Sequence, residues 1–232
     1  MIKGIHTIDF HAHSLPGADH GSSGPKMTLE QLALMNNVGV DTVVATPHFY
    51  PNYHTVDGFL ERVEDAVSLL PKDDAPRPRI CLGAEVLYYG GMEEMEDLDK
   101  LCIRGTDILL LELPISVWDM ELFDTVARLA KKKTVVLAHI DRYLPKQEDE
   151  IDALLESGAI AQINASSLFH FSTKGKIMRY VNEGLVCAIG SDLHEVDKKA
   201  YHHFADAHKK LGDSFERIME VSAALLKNAE RI

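Results

Sequence analysis

Short apolar runs rich in β-branched residues recur at positions 5–9, 42–46, 80–85, 108–112, 134–139, 161–164 and 186–191. They are nearly continuous rather than alternating, a pattern that predicts seven strands buried on both faces, as in a parallel sheet. Between them, apolar residues at helical spacing predict helices over 59–70, 122–130, 151–155, 177–181 and 215–229. A further helix is expected to begin at Thr28, which with Gln31 reads as a capping box; Leu32, Met35 and Val38 give it an apolar face and Gly39 can stop it. Strand and helix alternate throughout, so the chain is α/β, and periodicity alone leaves an open doubly wound sheet and a closed barrel both possible. The Pro-rich segment 71–78 reads as a surface connection, because the same rhythm resumes after it. A single domain over residues 1–232 is expected.

Composition narrows the function more than the fold. The formal charge of −12, without a Lys/Arg stripe, argues against nucleic-acid binding, which needs a basic face. The densest basic run, Lys131 to Lys133, reads as a solvated helix end favoured by the helix dipole. Three cysteines, Cys81, Cys102 and Cys187, form no Cys-x-x-Cys pair and are expected as small buried apolar residues. No stretch of eighteen apolar residues occurs, so a soluble cytoplasmic protein without membrane insertion is expected.

Metal-competent side chains fall at the C-terminal ends of the strands. The first strand runs into Asp9, His11 and His13, then Asp19-His20-Gly21. In an extended segment residues two apart face the same way, so His11 and His13 can share one cation. Later strand ends bring His48, Glu85, Glu112, His139 with Asp141 and Arg142, and Asp192 with His194. Thus six of the seven strands contribute at one rim, where parallel α/β folds build their sites. Singly, each residue is better explained by a structural hydrogen bond; jointly they point to a metal centre. Glu112 has a competing reading, as a helix cap or a partner of Arg104. His6, inside the first strand, and His202, His203 and His208, in a helical pattern, read as packing or surface residues. His54 and His170 fall in loops near the rim, within reach of a substrate but outside any motif.

At DFHAHSLPGADHG, TPHF, GAE, ELP, LAHIDRY, QINASSL and GSDLH the sequence resembles the PHP superfamily. More narrowly it resembles the CpsB/CapC group, the manganese-dependent tyrosine-protein phosphatases of bacterial capsule and exopolysaccharide operons. The resemblance spans residues 9 to about 199. It implies a distorted (β/α)7 barrel, TIM-barrel-like, with up to three metal ions. By motif, His11, His13, Glu85 and Asp192 would surround one ion. Glu85 would bridge to a part held by Glu112 and His139, and His20, His48 and His194 would complete the coordination. Manganese is the expected metal, although such nitrogen and oxygen donors also accept iron or zinc. Two positions depart from the group: His20 stands where a second acid is usual, and Lys199 corresponds to a phosphate-holding Arg. Lysine keeps the charge and loses the bidentate fork.

The implied reaction is phosphomonoester hydrolysis by a metal-bound hydroxide, with Arg142 clamping the phosphate and Lys199 assisting. The Cys-x5-Arg loop of cysteine phosphatases is absent. Phe49, Tyr50, Tyr53 and Trp118 either stack on a phosphotyrosine ring or pack on the barrel. The resemblance implies a membrane-associated bacterial tyrosine kinase as partner, which would bring a soluble enzyme to the inner face of the membrane. Two alternatives stand beside this reading: a PHP phosphatase for histidinol phosphate or a sugar or nucleotide phosphate, and a metal-binding regulatory module without catalysis.

Overall fold

A computed structural model describes residues 4–70, 76–144 and 146–232. Positions 71–75 of the Pro-rich segment lie outside the described residues. The strands form where the apolar runs place them: β1 (Ile8–Ala12), β2 (Thr42–Ala45), β3 (His48–Phe49), β4 (Arg79–Leu82), β5 (Glu85–Leu87), β6 (Ile108–Glu112), β7 (Thr134–Leu137), β8 (Ile160–Asn164) and β9 (Val186–Gly190). Every pairing between these strands is parallel, in the orders β1-β2-β4 and β3-β5-β6-β7-β8-β9.

Two pairs of these segments are single strands with a break. β2 and β3 are separated only by Thr46 and Pro47, and β4 and β5 only by Gly83 and Ala84. Across the breaks the ladder continues, with the Gly83 N–H donating to Ala45 O at 3.0 Å and the Glu85 N–H to Pro47 O at 3.1 Å. Proline supplies no N–H to a ladder, which accounts for the interruption at Pro47. Among the described residues the result is the expected seven strands. At the seam, the Asp192 N–H donates to His11 O at 2.8 Å and the His13 N–H to Leu193 O at 3.0 Å. Asp9 Oδ1 also accepts the Ser191 N–H at 2.8 Å. The last strand thus meets the first, and the sheet closes as a distorted α/β barrel.

Helices α1 (Pro25–Val38), α2 (Val56–Ser68), α3 (Met120–Ala130), α4 (Glu148–Glu156), α5 (Phe171–Asn182), α6 (Lys198–Leu211) and α7 (Asp213–Leu225) fill the connections. β6 is buried at every position, as a strand covered on both faces must be. Burying each of its leucines contributes roughly 1.5–3 kcal/mol.

Three local expectations are corrected. α1 starts at Pro25, three residues before Thr28, because proline is preset for the first helical position. Thr28 is instead buried inside the helix with its Oγ1 2.8 Å from Ser22 Oγ, so no capping box forms. Gly39 does end the helix, at φ 96°. β1 begins at Ile8, so His6 precedes the strand and lies with Nε2 3.1 Å from Thr42 Oγ1. α7 stops at Leu225, and 226–228 form a single 3-10 turn. The three cysteines are buried and unpaired. Among the described residues no helix is long and apolar enough to cross a membrane.

Candidate metal centre

At the C-terminal rim of the barrel eight side chains from six strand ends converge. Their ligand atoms form four overlapping groups, each within 4.8 Å: His11, Glu85 and His139; His11, His13 and Asp192; His13, His48 and His194; and His48, Glu85 and Glu112. Glu85 sits at the centre, with Oε1 2.7 Å from His139 Nε2 and Oε2 3.4, 3.3 and 2.8 Å from His11 Nε2, His13 Nε2 and His48 Nδ1.

The outer nitrogens of three histidines fix which atom faces inward. His13 Nδ1 lies 2.6 Å from Asp19 Oδ2, His11 Nδ1 3.3 Å from Gln162 Oε1, and His194 Nδ1 3.0 Å from the Asp192 carbonyl. Each partner only accepts, so each Nδ1 carries a proton and Nε2 is the atom turned to the cluster, where a metal ion would take the place of any second proton. His11 Nε2 and His13 Nε2 lie 3.1 Å apart, too close for both to stand bare without a cation, proton or metal, between them. Buried Glu85 Oε2 and Asp192 Oδ1 also lack hydrogen-bond partners. Converging lone pairs repel unless a cation lies among them. Donors bound at about 2.1 Å to one ion are separated by about 3.0–3.5 Å, the spacing found among His11 Nε2, His13 Nε2 and Glu85 Oε2 at 3.1–3.4 Å. The donor set therefore fits divalent metal ions.

Two of these side chains are held on strained backbone. His139 and Asp192 are the non-glycine residues of positive φ among those described, at 34° and 52°. Such left-handed conformations cost about 1–3 kcal/mol and persist where surrounding contacts impose them. Close packing tightens the same region. A Cβ on Gly21 would lie 2.4 Å from His13 Cβ, and one on Gly190 would lie 2.6 Å from His11 Cβ.

The electrostatics follow from burial among opposite charges. Burial alone would lower His13, yet Asp19, Asp192 and Glu85 outweigh it and hold its pKa well above the ordinary value. Burial would raise Glu85 and Asp192, but the surrounding histidines keep both below it. For His194 burial dominates, with the His13 charge adding to it, and the imidazole is pushed down to about 4. It stays neutral near pH 7 and able to donate its Nε2 lone pair.

Arg142 spans the cluster, with one guanidinium nitrogen 2.6 Å from Glu112 Oε1 and the other 3.5 Å from Asp192 Oδ2. Arg104 takes no part, being 2.6 Å from Glu64, and Glu112 caps no helix. Outside the cluster opens a cavity of about 410 Å³ lined by His20, His48, Tyr50, Glu112, Arg142, His194 and Glu195. His20 is exposed there, its ring 4.7 Å from those of both His48 and His194, but it joins none of the four ligand groups. Lys199 lies apart on the exposed first turn of α6, with its N–H on Asp197 Oδ1, and does not line the cavity. Of the four aromatics, Tyr50 faces the cavity, stacked 4.9 Å from the His48 ring. Tyr53 is exposed, Phe49 packs on Phe59, and buried Trp118 donates to Pro114 O. His54 accepts the Tyr50 N–H through Nδ1, and His170 is exposed before α5.

Four supporting residues stand in the motifs that the sequence shows but receive no role from it: Asp9, Asp19, Gln162 and Asn164. Asn164 Nδ2 donates to Asp192 Oδ2 at 3.0 Å, and its N–H to Asp141 Oδ1 at 2.8 Å. The signal available for Gln162 and Asn164 was a polar pair two apart in an otherwise apolar strand, hence on one face.

The family model described as capsular polysaccharide synthesis, CpsB/CapC, matches residues 7–232. Among solved structures the chain is similar to one from work on YwqE from Bacillus subtilis and CpsB from Streptococcus pneumoniae, described as unique metal-dependent tyrosine phosphatases. That match has 24% identity and a TM-score of 0.79, and covers 97% of each chain. A D-hydantoinase shares the barrel more distantly, with 11% identity, a TM-score of 0.56, and coverage of 91% of this chain and 68% of that one. No curated protein matches the sequence.

Proposed function

The chain belongs to the CpsB/CapC family of capsular polysaccharide synthesis, and from that premise we propose that it is a metal-dependent protein-tyrosine phosphatase. The observation that carries the reading is the convergence of eight nitrogen and oxygen donors beneath an open cavity that also presents Arg142 and Tyr50. His11, His13, His48, Glu85, Glu112, His139, Asp192 and His194 would hold up to three ions, manganese being the expected metal, with His20 as a further donor at the mouth. When bound, such ions polarise phosphoryl oxygens and make water acidic enough to attack near neutral pH.

The chain's own groups supply the rest. Arg142 offers a planar fork that can pass from Glu112 and Asp192 to two phosphate oxygens. Neutral His194 keeps a lone pair toward the cluster. Tyr50 provides a face on which the tyrosyl ring of the substrate packs. Lys199 contributes charge at long range rather than contact. The loop that carries Tyr50 exposes Tyr53, and the loop after β6, the strand that carries Glu112, exposes Ile115 and Val117. That openness suits a protein segment better than a small metabolite, which pockets normally enclose. The expected substrate is a tyrosine-phosphorylated protein of capsule synthesis, with a membrane-associated tyrosine kinase as the partner implied by the sequence resemblance.

The test is turnover by metal-stripped protein reloaded with manganese, iron or zinc, on phosphotyrosyl peptide, p-nitrophenyl phosphate and histidinol phosphate, beside His139→Ala. Manganese-restored hydrolysis that favours the peptide and is lost in His139→Ala supports the proposal. Preference for histidinol phosphate would move the assignment to a small-molecule phosphatase. Full metal occupancy with no turnover on any of them would point to a non-catalytic module.

A further inference from the structure

Gln162 is fully buried in β8, where its neighbours Ala161 and Ile163 are apolar, and no step of the proposed reaction uses it. Its amide has one consistent orientation. Nε2 donates to Ile163 O at 2.7 Å and to Asn164 Oδ1 at 3.1 Å, which uses both hydrogens. Oε1 is left to accept the His139 N–H at 2.6 Å and to face His11 Nδ1 at 3.3 Å. The flipped amide would set its NH2 against the His139 N–H and its oxygen against two acceptors, so the network excludes it.

One oxygen thus holds two histidines by different handles. For His11 it fixes the ring proton on Nδ1 and frees Nε2. For His139 it anchors the peptide N–H at the residue whose φ is 34°, a conformation that needs an external restraint. These two rings flank Glu85 in the deepest of the four donor groups. The neighbouring strand leaves room for this arrangement because it carries Gly190, where a Cβ would come within 2.7 Å of Gln162 Nε2.

We propose that Gln162 is the positioning residue of the inner ion site, setting the His11 tautomer and the His139 backbone so that both Nε2 atoms face Glu85. The inference rests on the metal-centre reading, but its first test needs no metal. In metal-free protein at a pH alkaline enough to keep His11 neutral, since Glu85 and Asp192 raise its pKa against the effect of burial, two-dimensional NMR of the imidazole nitrogens reports which nitrogen carries the proton. Wild type is expected to show Nδ1–H, Gln162→Leu a mixture of tautomers, and Gln162→Glu, whose carboxyl keeps the acceptor while a proton on its other oxygen faces Ile163 O and Asn164 Oδ1, a return toward Nδ1–H. In metal-loaded protein, chelator competition should then show the tightest ion bound about tenfold to a hundredfold more weakly in Gln162→Leu, as expected when an outer partner of a ligand is lost. The more exposed sites should be little changed. Should Gln162→Leu fail to fold, the Glu variant and Gln162→Asn, whose shorter side chain withdraws the oxygen, carry the same comparison. An unchanged His11 tautomer together with wild-type affinity at every site would overturn the proposal. A tautomer shift in a protein that binds no metal would leave the role of Gln162 standing and refute the metal-centre reading instead.

Discussion

Asp19 holds two of the ligand histidines at once, and Asp19→Asn is the most informative single change. Its Oδ2 accepts from His13 Nδ1 at 2.6 Å and from the His48 N–H at 3.0 Å, while Oδ1 accepts the Gly21 N–H at 2.8 Å. The amide retains one oxygen for these three donors. If that oxygen stays on Gly21, the new NH2 confronts both the His13 proton and the His48 N–H. His13 then gains by moving its proton to Nε2, the atom that faces the cluster. Loss of such an outer partner weakens metal binding about tenfold to a hundredfold, which is about 1.4–2.8 kcal/mol. The loss should fall on the two groups containing His13 and spare the group of His11, Glu85 and His139. Competition against a chromophoric chelator measures this directly, as a binding curve in which one tight ion persists and the others weaken. The metal-free protein carries a pH signature as well. Asp19 is held below its ordinary pKa of 3.8, since burial, which would raise it, is outweighed by His13. Its stabilisation is therefore present above that value and is lost as pH falls through the lower, folded one. His13 is held above its ordinary 6.5 against the effect of burial by Asp19, Asp192 and Glu85, so its contribution is present below that value and is lost as pH rises through the folded one. The stability advantage of wild type over Asp19→Asn should peak between about pH 4 and 6.5. Wild-type affinity for every ion, with a stability difference flat in pH, would refute the orienting role.

Arg142→Ala should lower kcat by about a hundredfold to a thousandfold, the usual cost of one preorganised donor to a transition-state oxyanion, with metal content unchanged. Steady-state kinetics beside elemental analysis checks it, and unaltered kcat would remove Arg142 from the chemistry. Lys199→Ala should change kcat/KM by no more than about twofold, because exposed substitutions away from a site usually stay within about 0.5 kcal/mol; a larger fall would mean that α6 shifts to bring the ammonium to the phosphate. Burial pushes the Cys102 thiol up to about 11 and Cys187 up to about 12, and raises Cys81 as well. A thiol reagent at pH 8 should therefore leave the native protein unlabelled and react three times once it is unfolded. Fast labelling of the native protein would show a thiol that is open to solvent.

The barrel was legible because a strand covered on both faces must be apolar almost throughout, and only the seven strands of this chain have that pattern. What the pattern could not give was the choice between an open sheet and a closed one. Closure depends on hydrogen bonds between 11–13 and 192–193, which are far apart in sequence and carry no composition of their own. Helix starts were less legible for a related reason. A capping box requires Thr28 to lie outside the helix, yet its side chain is taken by Ser22, and Pro25 sets the first turn instead.

For the site, the sequence exposed donors and concealed what aims them. A His or Glu interrupting an apolar strand at its C-terminal end is conspicuous, and eight of nine such residues converge within one cluster. The ninth, His20, follows Asp19 in the same turn but points to the cavity mouth while Asp19 turns inward to His13. Adjacent residues in a turn diverge, so motif membership could not say which of the two reached the centre. Gln162 and Asn164 were hidden differently, since their partners lie on other strands and the register decides who meets whom. A one-residue slip of β8 would turn both away from the interior and leave His11 and His139 without restraint. The specificity of the centre thus resides as much in the register of the barrel as in its ligands. Substitutions that shift register should abolish metal binding even when all eight donors remain.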